Sequence, residues 1–343
     1  MLPMATLPRG PLVEVGDHTV SYEDVVLAGI SDGSWDALVC WCAEGIQRAR
    51  EGAATHDDVR RAAESFRRHR KLEAGEDLRS WLAARAITMS EWESHLRRAV
   101  VLGGPTLSPS RPPRMPAEFE IALRVDSFCR GFWESESRRV LSWLAAAELV
   151  GAVVPTATEI DQLAEPTVDD DTTELGAMGE DWWRERMATL TAWRRAHERL
   201  GEHIADESTI AGFVAERWLE WSVVTFESCV VATESAAREA LLCANEDGLP
   251  PKQIADRAGG TVEWRTVRAG QLGDGLAARM LSAQLHTPVG PVRDDSHWSV
   301  VWVRHREPPD PTDPVVRRDV EKELVVEAVK RQLIGRDVWR GPV

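Results

Sequence analysis

The apolar residues of this chain change period at one place, near Trp221, and that change limits the folds open to it. Before Trp221 they recur at helical spacing; beyond it, runs of β-branched residues alternate with short helical segments. Ser21 with Asp24, Thr55 with Asp58 and Thr88 with Glu91 each put a hydroxyl three residues ahead of a carboxylate. Each pair can therefore satisfy the open amides of a first helical turn. Helices are predicted at about 21–29, 34–51, 56–71, 76–86 and 89–102, the last with Trp92, Leu96, Ala99 and Val100 on one face. Ahead of them LVEVGDHTV (12–20) alternates apolar and polar, as a short strand or hairpin edge does. GGPTLSPSRPPRMP (103–116), with five prolines and two glycines, cannot continue a helix and reads as a linker. Helical spacing resumes over 117–151, 181–200 and 207–219.

After Trp221 the order is SVVTFESCVV (222–231) as a strand, a helix capped by Thr233, a short helix at 251–258, and TVEWRTV (261–267) as a strand. A helix at 273–284 and a strong strand, HWSVVWVRHRE (297–307), complete an α+β domain of about 90 residues. A terminal helix is punctuated by Asp313 as N-cap, Pro314 in the first turn and Gly335 past the end. The expected fold class is thus α+β and predominantly helical: an N-terminal helical bundle, a C-terminal α+β domain and a terminal helix. The expected domains are 1–102, a Pro-rich linker at 103–116, a helical middle region at 117–220, the α+β domain at 221–309 and the closing helix in 310–343.

Lysine and arginine total 41 against 56 acids, a net charge of −15, so phosphates would be repelled and nucleic acid is not an expected partner. The acidity is local: residues 155–185 hold ten acids against Arg184 alone, as an acidic loop around Asp169 to Asp171 would. The longest apolar stretch, Val140 to Val154, is interrupted by Glu148 and too short for a bilayer, and the N-terminus lacks an apolar core of signal-peptide length. Five cysteines (Cys40, Cys42, Cys129, Cys229, Cys243) form no C-x-x-C pair and read as reduced thiols. The expectation is a cytoplasmic protein without membrane partners. Fifteen tryptophans against one tyrosine and six phenylalanines leave aromatic packing largely to indoles.

Three motifs have plain readings. Gly29-Ile30-Ser31-Asp32-Gly33 matches G-x-S-x-G, but the nucleophile elbow needs a strand before its serine, and here a capped helix precedes it, with Gly29 as its expected end. His197 and His203 are six residues apart, on opposite sides of a helix, unlike the four-residue spacing of zinc-binding helices. Arg67 to Lys71 sit at a helix end that favours cations. Neither a metal site nor a cofactor site is predicted.

VVTFESCVVATESAAREALL (223–242), GQLGDGLAARMLSAQLHTPVGPV (270–292) and WSVVWVRHREPP (298–309) together resemble a parvulin-type peptidyl-prolyl isomerase domain. FRRHRKLEAGEDLRSWLAARAITMSEWESHLRR (66–98) is similar to the helical region that precedes such domains in periplasmic foldases. The chain as a whole resembles parvulin-related peptide maturation system proteins, which accompany ribosomally synthesised, modified peptides. The resemblance implies a proline pocket at Leu272 and Leu276, walled further by Met280 and Trp298, beside a polar cluster with two histidines. Those histidine positions align with Cys229 and Ser299 here, and the glycine-rich stretch carrying the remaining polar residue is shortened to GGTVEW (259–264).

An isomerase must favour the twisted X-Pro amide against a barrier of about 18–20 kcal/mol. Loss of both histidines argues against efficient turnover, and no catalytic residue is assigned. The implied peptide-binding set is Cys229, Leu272, Leu276, Met280, Trp298 and Ser299. The leading expectation is a peptide-binding chaperone or adaptor in maturation of a modified peptide. Its partners would be a precursor peptide or unfolded polypeptide and other peptide-maturation enzymes. The alternative is an active peptidyl-prolyl isomerase. A third reading, an unrelated enzyme using Cys229, needs a base, and only His297 and His305 are near; strict alternation puts both on one face, opposite Trp298.

Overall fold

The computed structural model describes residues 7–52, 54–103, 118–164, 180–294 and 297–343. Apart from Gly103 the predicted linker, and with it the centre of the acidic segment at 165–179, lie outside the described residues. Among the described residues fifteen α-helices and two small sheets make the fold predominantly helical α+β. The chain divides into two compact units, Met1–Leu200 with Val326–Val343, and Gly201–Val325. Both boundaries fall inside helices, Glu180–Ile204 and Pro314–Leu333. Among the described residues no single helix is long and apolar enough to cross a membrane.

In the first unit strands β1 (Pro11–Val15) and β2 (His18–Ser21) form the predicted hairpin. The capping boxes at Ser21 and Thr88 are formed, and Thr55 caps its helix through the Asp58 amide. Helix Tyr22–Asp32 runs through Gly29 and Ser31 and ends instead at Gly33, whose φ of 81° is left-handed. The correction is small; the serine sits on a helix, not at an elbow. The 117–151 run breaks at Gly131 (φ 74°) into helices Phe119–Cys129 and Phe132–Val150. Helix Phe119–Cys129 packs on Ser34–Glu51 and Met89–Leu102, on the other side of the proline-rich segment in sequence. Trp35 and Trp133 are fully buried and meet Phe132 and Tyr22 edge-on at 5.3 and 5.0 Å.

The second unit carries a four-stranded antiparallel sheet. Its strands are β3 (Val223–Val231), β4 (Thr261–Arg268), β5 (Pro288–Asp294) and β6 (His297–Glu307), in the order β4-β3-β6-β5. Strand β5 is additional to the predicted elements. Cys229, Val231, Val300 and Trp302 bury one face against Ala237, Ala240, Ile254 and Ala255 of helices Glu234–Glu246 and Pro251–Ala258. Val224, Phe226, Val301 and Val303 bury the other face against Val292, Ala269 and Met280, the last from helix Asp274–Ser282. Gly260 joins helix to strand where a Cβ would stand 2.4 Å from the Val230 carbonyl oxygen, so the shortened glycine stretch permits a close backbone approach. Ile210, Phe213 and Trp221 form a separate cluster with Val320.

Strand β6 does not alternate strictly. Thr225 faces His305 across the ladder while its neighbour Phe226 faces Val303, so Arg304 is the extra residue of a β-bulge. The bulge turns His305 to the face opposite Val301 and Val303, away from His297, which corrects the expectation that the two imidazoles share a side.

A final strand, β7 (Asp337–Trp339), pairs with β1 in the first unit.

Candidate functional site

A cavity of about 750 Å³ opens on the Phe226 face of the four-stranded sheet. That volume lies within the range of about 300–1,000 Å³ common for ligand pockets. Period-two alternation fixes its floor: Phe226, Ser228 and Val230 from β3, Glu263 and Arg265 from β4, and His297, Ser299 and Val301 from β6. The pairings Ser228 with Glu263 and Phe226 with Arg265 keep the β3 and β4 contributions in register. Leu272, Leu276 and Arg279, on the turn and helix that follow β4, close one side; Pro291, Val292 and Arg293 of β5 close another.

Four of the six predicted site residues reach this cavity, and two do not. Leu272, Leu276 and Ser299 line it. Trp298 touches its rim while packing on the opposite-face cluster. Met280 is fully buried in the apolar layer with Phe226 and Val301, without reaching the cavity surface. Cys229 is the larger correction: an odd-numbered residue of β3, it faces away from the cavity and is buried against Ile254 and Ala237. Burial raises its thiol pKa. A thiol so placed stays protonated and has no path to a ligand in the cavity, so the reading as a cysteine enzyme using Cys229 has no geometric support. The β3 residue on the cavity side next to it is Ser228, 3.5 Å from the Glu263 carbonyl oxygen as a weak donor.

The polar side of the cavity is richer than the sequence led us to expect. His297 brings one imidazole to it, and Ser228 and Ser299 bring hydroxyls from adjacent strands. Glu263, Arg265, Arg279 and Arg293 add charge at its margins. For Ser228 counted from Phe226, and for His297 and Ser299 counted from Val301, the signal that would have found them was the alternation itself. Arg279 also donates to the Gly290 carbonyl oxygen at 3.1 Å, which ties helix Asp274–Ser282 to β5. Such a surface can hold an extended chain by apolar contact and hydrogen bonding.

No family model matches the chain, and no curated protein matches it. Among solved structures it is similar to the peptidylprolyl isomerase PrsA of Bacillus anthracis, at 11% identity over 57% of this chain and 95% of that one, with a TM-score of 0.29. PrsA of Bacillus cereus matches at 11% identity over 61% and 86% of the two chains, with a TM-score of 0.32. A SurA-like chaperone structure from Campylobacter jejuni, from the work on PEB4 and Cj1289, matches at 14% identity over 56% and 88%, with a TM-score of 0.21.

Proposed function

We propose that the second unit binds extended polypeptide in the cavity over β3 and β6, as a peptide-binding chaperone or adaptor with little or no isomerase turnover. Its place of action is the cytoplasm, and its partner is a precursor of a ribosomally synthesised, modified peptide, presented to the enzymes that modify it. One observation carries this reading: an apolar wall of Leu272, Leu276, Phe226 and Val292 faces the strand positions where the parvulin resemblance calls for two histidines. The resemblance puts those positions at Cys229, which faces away from the cavity, and Ser299, which lines it; the β3 residue on the cavity side beside Cys229 is Ser228. Apolar side chains and proline rings would lie against the wall, while hydroxyls and charged groups at the margin accept or donate to the bound backbone. Rotation about an X-Pro bond needs more than a grip, because the twisted amide must be favoured over both planar forms. One imidazole and two hydroxyls replace the paired imidazoles expected of a turnover site.

The test is calorimetric titration of the full chain with proline-containing peptides, beside a protease-coupled isomerisation assay. Micromolar binding, weakened tenfold or more by Leu276→Arg, with isomerisation at background, is the expected result. Absence of binding at high micromolar concentration rejects the proposal. An isomerisation rate well above background, abolished by Leu276→Arg, replaces it with the isomerase reading.

A further inference from the structure

Residues 336–343 are held on the first unit largely by their main chain, while several of their side chains stay in water. β7 pairs with β1 through Trp339 with Val13 and Asp337 with Val15, and beyond it the Arg340 and Gly341 amides donate to the Leu12 carbonyl oxygen at 2.8 and 3.2 Å. The Tyr22 hydroxyl donates to the Pro342 carbonyl oxygen at 3.0 Å, and Arg85 Nε donates to that of Val343 at 3.1 Å. Asp337, Val338, Trp339 and Arg340 are exposed. Strand addition captures an extended segment of another chain in this way, by main-chain pairing along a sheet edge, and reads sequence only where a side chain meets a defined contact. All of these groups belong to the first unit. We propose that this edge is a peptide site distinct from the cavity, filled here by the chain's own residues 336–343, for extended segments in which a basic residue is followed by glycine.

Three groups set what the site accepts. Glu14 on β1 pairs with Arg340 at 2.7 Å, a contact that takes a cation and repels a carboxylate. At Gly341 a Cβ would stand 2.8 Å from Tyr22 Cζ. Tyr22 cannot withdraw, because its ring is buried and packs edge-on against Trp133 at 5.0 Å, so this position admits glycine. Arg85 is set in advance: its guanidinium lies over the Trp81 ring at 4.0 Å, and Nη1 donates to the Trp81 carbonyl oxygen at 3.0 Å. Nε and Nη2 are left to meet the Val343 carbonyl oxygen, a main-chain contact that fixes the path of the segment and not its sequence. Val338 and Trp339, 47% and 36% exposed, leave the preceding positions open to other residues. A tethered occupant acts at an effective concentration on the order of millimolar, so an incoming peptide competes once the occupant's own contacts are weakened.

The probe is the peptide of residues 336–343, Arg-Asp-Val-Trp-Arg-Gly-Pro-Val, amidated and labelled with fluorescein at its N-terminus. Its anisotropy is measured with the full chain and with the full-length variant Arg340→Glu, Gly341→Val, beside hydrogen exchange over 11–15 as the readout of the site. The variant is expected to exchange faster there, to bind the peptide about tenfold more tightly than the unaltered chain does, and to regain protection when peptide is added. Peptides with glutamate for the second arginine, or valine for the glycine, are expected to bind the variant about tenfold more weakly. A second variant, Glu14→Arg, loosens the occupant from the other side and is expected to reverse the order, favouring the glutamate peptide over the arginine one. Where the first variant does not fold, this reversal decides alone. Unchanged exchange over 11–15 in both variants, no binding to either, equal binding of the three peptides, or an order that survives Glu14→Arg overturns the site. Peptide binding that leaves exchange over 11–15 unchanged and persists in Glu14→Arg belongs to the cavity of the second unit; it overturns this site and leaves that reading intact.

Discussion

Asp126 is the residue with most at stake in the first unit. Its carboxylate is completely buried and is held by His95 Nδ1 at 2.8 Å and by Arg98 through Nε at 3.0 Å and Nη2 at 2.5 Å. Burial alone would raise its pKa; the hydrogen bond to His95 and the charge and hydrogen bonds of Arg98 outweigh it and hold the group below the usual carboxylate range. Removing the carboxylate charge leaves the buried Arg98 guanidinium without its counter-charge, which costs about 3–5 kcal/mol. Asp126→Asn is therefore expected to lower stability by about that much at pH 7, read as faster hydrogen exchange in helices Met89–Leu102 and Phe119–Cys129. The sign with pH follows from the lowered value. The ionised group stabilises the native state above its unfolded pKa of about 3.9 and loses that advantage as pH falls below it. The variant's deficit should accordingly narrow below about pH 4; a deficit that is constant down to pH 3 would show that charge is not the cause. None of this cluster was legible in sequence, because His95, Arg98 and Asp126 come from two helices separated by the proline-rich segment. Ser228 was legible and was missed: counting inward residues from Phe226 gives 226, 228 and 230, whereas alignment by pattern alone landed one residue away, on Cys229.

Among the elements, helix Asp274–Ser282 decides whether the cavity has a wall, and two of its apolar residues divide the work. Met280 is fully buried against Phe226 and Val303 and anchors the helix to the sheet; Leu276 is half-buried and faces the cavity. Met280→Ala is expected to cost about 2–5 kcal/mol, as truncations of buried side chains do, and to weaken peptide binding only through the loosened helix. Leu276→Ala is expected to change the urea midpoint little while lowering peptide affinity several-fold. The reverse pattern would place the binding surface elsewhere. The helix, its neighbours and strands β3, β4 and β6 were all legible, because capping residues, β-branched runs and alternation are local signals. Strand β5 was not: Pro288, Gly290 and Pro291 break the alternation, and the pairing that makes it a strand comes entirely from β6. The bulge at Arg304 was equally hidden, since an extra residue in one strand shows only against its partner.

For the whole molecule, the least local fact is that the last residues fold with the first. Strand β7 places Trp339 opposite Val13 and Asp337 opposite Val15, so β1 is an inner strand with neighbours on both sides. Around it Arg336 pairs with Glu148 at 2.6 Å, Arg340 with Glu14 at 2.7 Å, and the Tyr22 hydroxyl donates to the Pro342 carbonyl oxygen at 3.0 Å. A three-residue strand has no pattern of its own, so the terminal helix was legible as far as Gly335 and its continuation was not. The sequence-level division at 310–343 treats that segment as an appendage, whereas its contacts divide it between the two units at Val326. Deleting 336–343 leaves the terminal helix and every strand of β3 to β6 in place. It strips one edge from β1 and opens Leu12, Val13 and Val15, all fully buried, to water. Hydrogen exchange measured segment by segment should show protection lost over 11–21 and retained over β3 and β6, with peptide affinity unchanged. If exchange instead rises together across both units, or the truncated chain no longer binds peptide, then the two units do not unfold separately and the cavity's stability depends on the far end of the chain.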